Sequence, residues 1–315
     1  MDKSNGGMGG KTVLITGGTS GIGKATAVAL AAMGANVVIV GRNQERSEVA
    51  VEEIRARSHN GSVELMLADL SAQAEVRGLA EAFLERHDRL DVLVNNAGLV
   101  QSKRTETPDG IETTLAINHL APFLLTNLLL ERLEQSAPSR VITASSEAQR
   151  WGTMDFEDMQ SRRKYRGFPV YGMTKLANIM FTYELAERLN GTGVSANCLH
   201  PGSVGTNFGQ NNRGPMALFF RTFKPFMRSP EQGADTLVWL ASSPEVEGVS
   251  GKYFFDRKEI EAKKVAYDPA ARRRLWEISE DLTGLKVAAW WAGIRVSRSR
   301  TSSGSSRRGR GPLTA

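Results

Sequence analysis

A doubly wound α/β fold in a single domain is what this sequence predicts, on three observations. Short apolar runs alternate with amphipathic helical stretches from Thr12 onward. Those runs are apolar throughout, as strands are when helices cover both faces of a parallel sheet. A Gly-rich turn joins the first run to the first helical stretch, where such sheets bind their ligands.

Taken in order, Thr12 to Thr16 reads as the first strand, followed by a helix through Met33, with Gly34 suited to its C-terminus. Asn36 to Val40 is a second strand, Glu45 to Ser58 a second helix and Val63 to Leu67 a third strand. The alternation continues with a helix over Ser71 to His87, a strand at Val92 to Asn95, a long helix across Gly110 to Leu133 and a strand at Arg140 to Ala144. Val170 to Asn190 is another long helix, Val194 to Leu199 a sixth strand, and Lys252 to Phe255 the last, with a further helix starting near Pro230. Right-handed crossovers then give a parallel sheet with helices on both sides.

Composition narrows the class. The chain has 315 residues, 41% hydrophobic and 23% charged, enough to bury a substantial core. Residues 11–285 are expected to form the domain, 1–10 a flexible N-terminus and 286–315 a basic, disordered tail. The net charge of +6 belongs to that tail: Lys286, Arg295, Arg298, Arg300, Arg307, Arg308 and Arg310 leave the rest of the chain at −1. A neutral body without interleaved basic and aromatic residues gives no expectation of nucleic-acid binding. Trp290 and Trp291 are unusual in such a tail and fit a docking or oligomer contact. With one cysteine, Cys198, there is neither a disulfide nor a thiolate cluster, and no metal site is expected. No apolar leader or membrane-length run is visible, so the expected location is cytoplasmic.

The turn Thr16-Gly17-Gly18-Thr19-Ser20-Gly21-Ile22-Gly23 carries the first chemistry. Glycine lets the backbone approach a pyrophosphate, and the following helix offers unpaired N–H groups and the positive end of its dipole. A dinucleotide is the ligand such a turn predicts in this position. At the end of the second strand stands Val40-Gly41-Arg42-Asn43, with no carboxylate. A carboxylate there would hold a ribose 2′-hydroxyl, whereas Arg42 offers a charge-assisted bond to a 2′-phosphate, so NADP(H) is the expected cofactor.

A second constellation lies downstream. Tyr171-Gly172-Met173-Thr174-Lys175 places Tyr171 and Lys175 one helical turn apart on one face. Hydride addition to a carbonyl builds an alkoxide that needs a proton donor in reach, and a tyrosine with a pKa near ~10 needs a neighbouring ammonium to act at neutral pH. The strand Val141-Ile142-Thr143-Ala144 runs into Ser145 and Ser146, either of which could donate to a substrate oxygen from the ligand end of the sheet.

The spacing of Gly17, Gly21 and Gly23 resembles the T-G-x-x-x-G-I-G of the short-chain dehydrogenase/reductase family, a Rossmann-type fold. The resemblance continues through Asp69 and Leu70, similar to the family's adenine contact, and through Asn95-Asn96-Ala97-Gly98, where the family has a cofactor-supporting turn. Asp69 alone reads equally as a helix cap or loop acid. The resemblance implies that Asn118, Ser146, Tyr171 and Lys175 are catalytic, with Ser146 preferred to Ser145 and Lys175 also holding the nicotinamide ribose. It further implies that Asn118 anchors a water leading to the lysine, and that Pro201, Gly202, Val204 and Thr206 line the nicotinamide, with Tyr171 beside it. Thr19, Ser20, Ile22, Ala97 and Gly98 fall among the implied cofactor contacts, whereas His200 is not needed as a base.

In detail the match is similar to the retinol-dehydrogenase and WW-domain-oxidoreductase branch, on Leu90 to Gly98, Asn118-His119-Leu120 and Lys175 to Ile179. Ala121-Pro122-Phe123 departs from the Gly-His-Phe common in that branch. The expected activity is therefore NADP(H)-dependent interconversion of an alcohol and a carbonyl, and the family implies dimers or tetramers. Met216 to Met227 concentrates four phenylalanines and two methionines where the family builds a lid, so the expected substrate is apolar and bulky, retinoid-, steroid- or long-chain-aldehyde-like. Two other readings stand beside this one: a cofactor-binding regulator without turnover, against which the complete set of four residues argues, and a protein that binds nucleic acid through its tail.

Overall fold

The computed structural model describes residues 7–204 and 227–285. Eight strands form one sheet in the order β3-β2-β1-β4-β5-β6-β7-β8. They are β1 (Thr12–Thr16), β2 (Asn36–Gly41), β3 (Val63–Leu67), β4 (Val92–Asn95), β5 (Ser139–Ala144), β6 (Val194–Leu199), β7 (Lys252–Phe255) and β8 (Lys258–Glu259). Strands β1 to β7 pair in parallel, and β8 turns back antiparallel on β7. Chain order reverses between β1 and β4, so their C-terminal ends open the crevice in which such sheets bind ligands.

Helices α1 (Gly21–Ala32), α2 (Gln44–Ser58) and α3 (Gln73–Arg86) follow the first three strands. After β4 come α4 (Thr113–Leu115), α5 (Ala121–Leu128) and α6 (Leu130–Gln135), then α7 (Gly167–Arg188), α8 (Pro230–Ser242) and α9 (Pro269–Thr283). The alternation of side chains along each strand explains the two cores. In β1, Val13 and Ile15 face α1, α2 and α8, while Leu14 faces α3, α5 and α7, and all three are fully buried.

The long helix expected over Gly110 to Leu133 is helical from residue 113 but not α-helical throughout. A π-helical segment, Ala116–Leu120, separates α4 from α5, and Pro122 sits in the first turn of α5. Proline has no N–H to return to the carbonyl of Asn118 four residues back, so an uninterrupted α-helix cannot run through this point. Helix α9 was not anticipated, although its signals are present: Asp268 caps its N-terminus, Pro269 stands in its first turn and Gly284 closes it with φ of 63°. Its Trp276 is buried against Phe123 and Phe181, with the Arg188 guanidinium over the ring. Strand β8 carries no hairpin signal in the sequence, because the turn before it, Asp256-Arg257, reaches positive φ without glycine. At the other end, Met8 is buried in the core beneath α1 and its N–H donates to the Met33 carbonyl. The expected boundary at residue 10 therefore falls inside packed structure.

Candidate active site

The Gly-rich loop between β1 and α1 is held by the turn after β4. Thr16 Oγ1 accepts from the backbone N–H groups of Asn96 and Ala97 at 3.0 and 3.1 Å. The Asn96 side-chain amide donates to the carbonyls of Thr16 and Gly17 at 3.0 and 3.2 Å. Gly17 adopts φ of 67°, and a Cβ on Gly23 would lie 2.2 Å from the Gly17 carbonyl oxygen, so the loop closes on itself only with glycine at both positions. Ser20 caps α1 in extended conformation without a side-chain hydrogen bond to the helix, and the first turn carries no acid. The N-terminal N–H groups of α1 are thus left for an anion. Ile22 and Val204 meet at Gly233 of α8, which fixes the loop against the turn after β6.

At the edge of the same crevice, the Arg42 side chain is 70% exposed and lies 3.6 Å from Asp69. Asp69 accepts from the Ser71 N–H at 2.9 Å, an Asx turn of the kind loop acids make.

Four residues converge beyond the ends of β4 and β5. Tyr171, on α7, is buried against Val100 and Ala148. Burial pushes its hydroxyl up to about 12, and a hydrogen bond with Ser146 works in the opposite direction. Lys175 follows one turn later, with Nζ 5.7 Å from the centre of the Tyr171 ring. Its ammonium donates to the Ala144 carbonyl at 2.9 Å, and burial lowers its pKa to about 8. Asn118 sits in the π-helical segment, where its side chain accepts from Leu99 N–H at 2.8 Å and donates to Leu99 C=O at 2.9 Å and to Thr174 Oγ1 at 3.1 Å. Gly98 fits between the two: a Cβ there would stand 3.3 Å from both Asn118 Oδ1 and Lys175 Nζ.

Residues 11–216 match the family described as short chain dehydrogenase. This chain belongs to that family. Human retinol dehydrogenase 14 is 45% identical over 294 residues, covering 88% of each chain. Human retinol dehydrogenase 13 is 40% identical over 284 residues, covering 88% of this chain and 86% of that one. Among solved structures, an uncharacterized protein from Mycobacterium paratuberculosis superposes with a TM-score of 0.71 at 31% identity, covering 88% of this chain and 94% of that one. Pseudomonas aeruginosa RhlG, solved as an NADP active-site complex, superposes with a TM-score of 0.65 at 28% identity, covering 80% of this chain and 97% of that one. The chain is thus a short-chain dehydrogenase of the retinol dehydrogenase branch: an oxidoreductase of alcohol and carbonyl groups that uses a nicotinamide cofactor and a small-molecule substrate.

Within this short-chain dehydrogenase the two adjacent serines separate. Ser145 Oγ donates to the Lys175 backbone carbonyl at 2.8 Å and is buried, so it ties β5 to α7. Ser146 is the serine at the Tyr171 hydroxyl, and it also accepts from Ala148 N–H at 3.2 Å. The two asparagines separate in the same way. Asn95 turns its amide into the core, donating to Thr126 at 2.9 Å, whereas Asn96, not singled out as a site residue, clamps the loop. Leu70 packs on the core beside Asp69. Pro201 and Gly202 form the turn after β6, where Gly202 N–H donates to His200 Nδ1 at 3.2 Å. His200 stacks on Phe255 at 4.3 Å and therefore shapes this turn. Thr206 lies outside the described residues, as do Trp290, Trp291 and all of the lid stretch except Met227.

Proposed function

We propose that this short-chain dehydrogenase interconverts an apolar alcohol and its carbonyl with NADP(H), using Tyr171 to move the proton. The observation that carries the reading is the meeting of Ser146 and Lys175 at Tyr171, with Asn118 held beside Lys175 across Gly98.

The residues present fit a dinucleotide. The open N-terminus of α1 takes the pyrophosphate, with Gly17, Thr19, Ser20, Gly21, Ile22 and Gly23 forming its cradle. Arg42 takes the 2′-phosphate, with no acid at the end of β2 to repel it, and Asp69 lies beside the adenine. Lys175 makes one hydrogen bond to the described residues, so its other N–H groups are left for the nicotinamide ribose. Ala97, Gly98, Pro201, Gly202 and Val204 complete the pocket walls. When bound, a nicotinamide dinucleotide supplies or takes up the hydride and, in its oxidised form, adds positive charge near the phenol.

The chain's own residues handle the proton. In the reductive direction Tyr171 gives its hydroxyl proton to the developing alkoxide while Ser146 donates to the same oxygen. Burial alone would keep Tyr171 protonated, and the Lys175 ammonium favours the phenolate that proton transfer leaves. Asn118, fixed to both backbone groups of Leu99, keeps the turn after β4 and the lysine in register.

The apolar substrate is supported by a pair of exposed aromatics beside Tyr171. Trp151 is 59% and Phe168 38% exposed, and their rings lie 5.6 Å apart, with Phe168 6.4 Å from Tyr171. The relatives at 40–45% identity are retinol dehydrogenases by name. Among the described residues no helix is long and apolar enough to cross a membrane, and composition supports a cytoplasmic location as part of this reading. Turnover of medium- and long-chain aldehydes with NADPH, lowered by at least ~10²-fold in Tyr171→Phe, is the result that supports the function. A Tyr171→Phe enzyme with near-wild-type turnover would refute it.

A further inference from the structure

His119 is enclosed in the core, one residue from Asn118, and nothing in the proposed chemistry uses it. Phe123 of α5 and Phe181 of α7 lie beside the ring, and its two nitrogens face Asn178 of α7 and Ser279 of α9. None of these four carries a charge. The ring is fully buried, which favours its neutral form.

The proton count settles the tautomer. Ala144 C=O accepts from Lys175 Nζ at 2.9 Å and from Asn178 Nδ2 at 3.2 Å. With the Asn178 nitrogen used in this way, its Oδ1 faces His119 Nδ1 at 3.3 Å and requires a donor there, so Nδ1 carries the hydrogen. Nε2 then has a free lone pair, 2.9 Å from Ser279 Oγ. The Ser279 hydroxyl also donates to Leu275 C=O at 2.8 Å, four residues back in α9, and so holds Nε2 from a fixed position. Directed hydrogen bonds then run from His119 Nδ1 through Asn178 to the carbonyl that holds Lys175.

We infer that His119 is a positioning residue for Lys175, acting through Asn178 and the Ala144 carbonyl. The inference rests on the role given to Lys175 above. Without a donor at Nδ1, Asn178 Oδ1 becomes a buried acceptor with no partner, and its amide is driven to rotate away from Ala144. The carbonyl then loses one of its two donors, and the ammonium loses the fixed anchor that aims it at Tyr171. From the elements packed against it, Lys175 meets the Tyr171 ring, the Ala144 carbonyl and, across Gly98, the Asn118 amide. Of these only Tyr171 titrates.

Two variants of the full chain separate positioning from packing. The amide nitrogen of asparagine reaches the place of Nδ1, and that of glutamine the place of Nε2. His119→Asn is expected to keep the link to Asn178 and a wild-type pH profile of kcat/KM for alcohol oxidation. In His119→Gln the acid limb, set by Tyr171, is expected to move up by about half a pH unit or more, with a raised KM for NADP⁺. Melting temperatures should fall in both, because both vacate ring volume. Equal profiles, or a glutamine variant closer to wild type than the asparagine variant, overturn the inference. Lys175→Met measured alongside distinguishes the two levels. If it leaves NADP⁺ binding and the profile unmoved, the reading of Lys175 fails and the inference with it. If it moves both while the His119 variants agree with each other, only the inference fails. Should His119→Gln not fold, Asn178→Ala removes the same link and is expected to give the same upward shift, and a wild-type profile there overturns the proposal.

Discussion

Asn96 and Gly23 share one point in space: a Cβ on Gly23 would lie 2.5 Å from the Asn96 side-chain nitrogen, which itself donates to the Gly17 carbonyl at 3.2 Å. The turn after β4 is thus fitted to the loop after β1 with no room for a methyl group, and under the proposed function cofactor binding depends on that fit. Gly23→Ala is expected to weaken NADPH binding about tenfold or more, since overpacking of this kind costs roughly 1–3 kcal/mol and here moves the phosphate loop itself. Fluorescence titration with NADPH measures it, and an unchanged Kd would contradict the fit.

Under the proposed function Arg42 sets the preference for NADPH. Wild type should prefer NADPH to NADH in kcat/KM, and Arg42→Ala should reduce that preference by about tenfold, the loss expected for one charge-assisted phosphate contact. Its exposure and long separation from Asp69 mean that the same substitution should leave the melting temperature almost unchanged. Equal efficiency with both cofactors in wild type would remove the assignment.

Burial of Lys175 makes a stability prediction with a defined sign. Its pKa falls from the ordinary 10.5 to about 8, so between those values the unfolded chain binds the extra proton and stability from this group rises with pH. Below pH 8 the folded protein carries the full cost of a buried ammonium. Lys175→Met should therefore melt higher than wild type at pH 7, with the difference shrinking as the pH approaches 10. A constant difference across that range would show that the ammonium is not penalised.

Trp276 anchors α9 against α5 and α7, with its ring 4.9 Å from Phe123 and 5.8 Å from Phe181. Trp276→Ala should destabilise the protein by about 3–5 kcal/mol, the range for emptying a large buried side chain. Thermal or urea unfolding reads this directly, and a loss under about 1 kcal/mol would mean that α9 is not part of the core.

Much of the sheet was legible because both faces of each strand are buried, which leaves continuous apolar runs in the sequence. The first seven strands lie within a residue or so of their expected bounds. Tyr171 and Lys175 were legible for a different reason: helical spacing alone puts them on one face. What escaped depends on contacts across the fold. Asn96 and Asn95 are adjacent and identical in type, and only the position of Thr16 on one side and Thr126 on the other separates their tasks. Ser146 was preferred to Ser145 by resemblance alone, and the physical difference lies in the fold: Ser145 turns to the Lys175 backbone carbonyl and Ser146 to the Tyr171 hydroxyl. The break at Ala116–Leu120 had a local signal in Pro122, and α9 had its caps at Asp268 and Gly284.

The most direct test of the account is Tyr171→Phe, which removes one oxygen and keeps the ring that packs on Val100 and Ala148. NADPH binding is expected to stay close to wild type and kcat for carbonyl reduction to fall by at least ~10²-fold, the lower range for loss of a positioned proton donor. A variant that binds NADPH and turns over within about threefold of wild type would contradict it, because a loss that small is far below what removal of a catalytic acid costs.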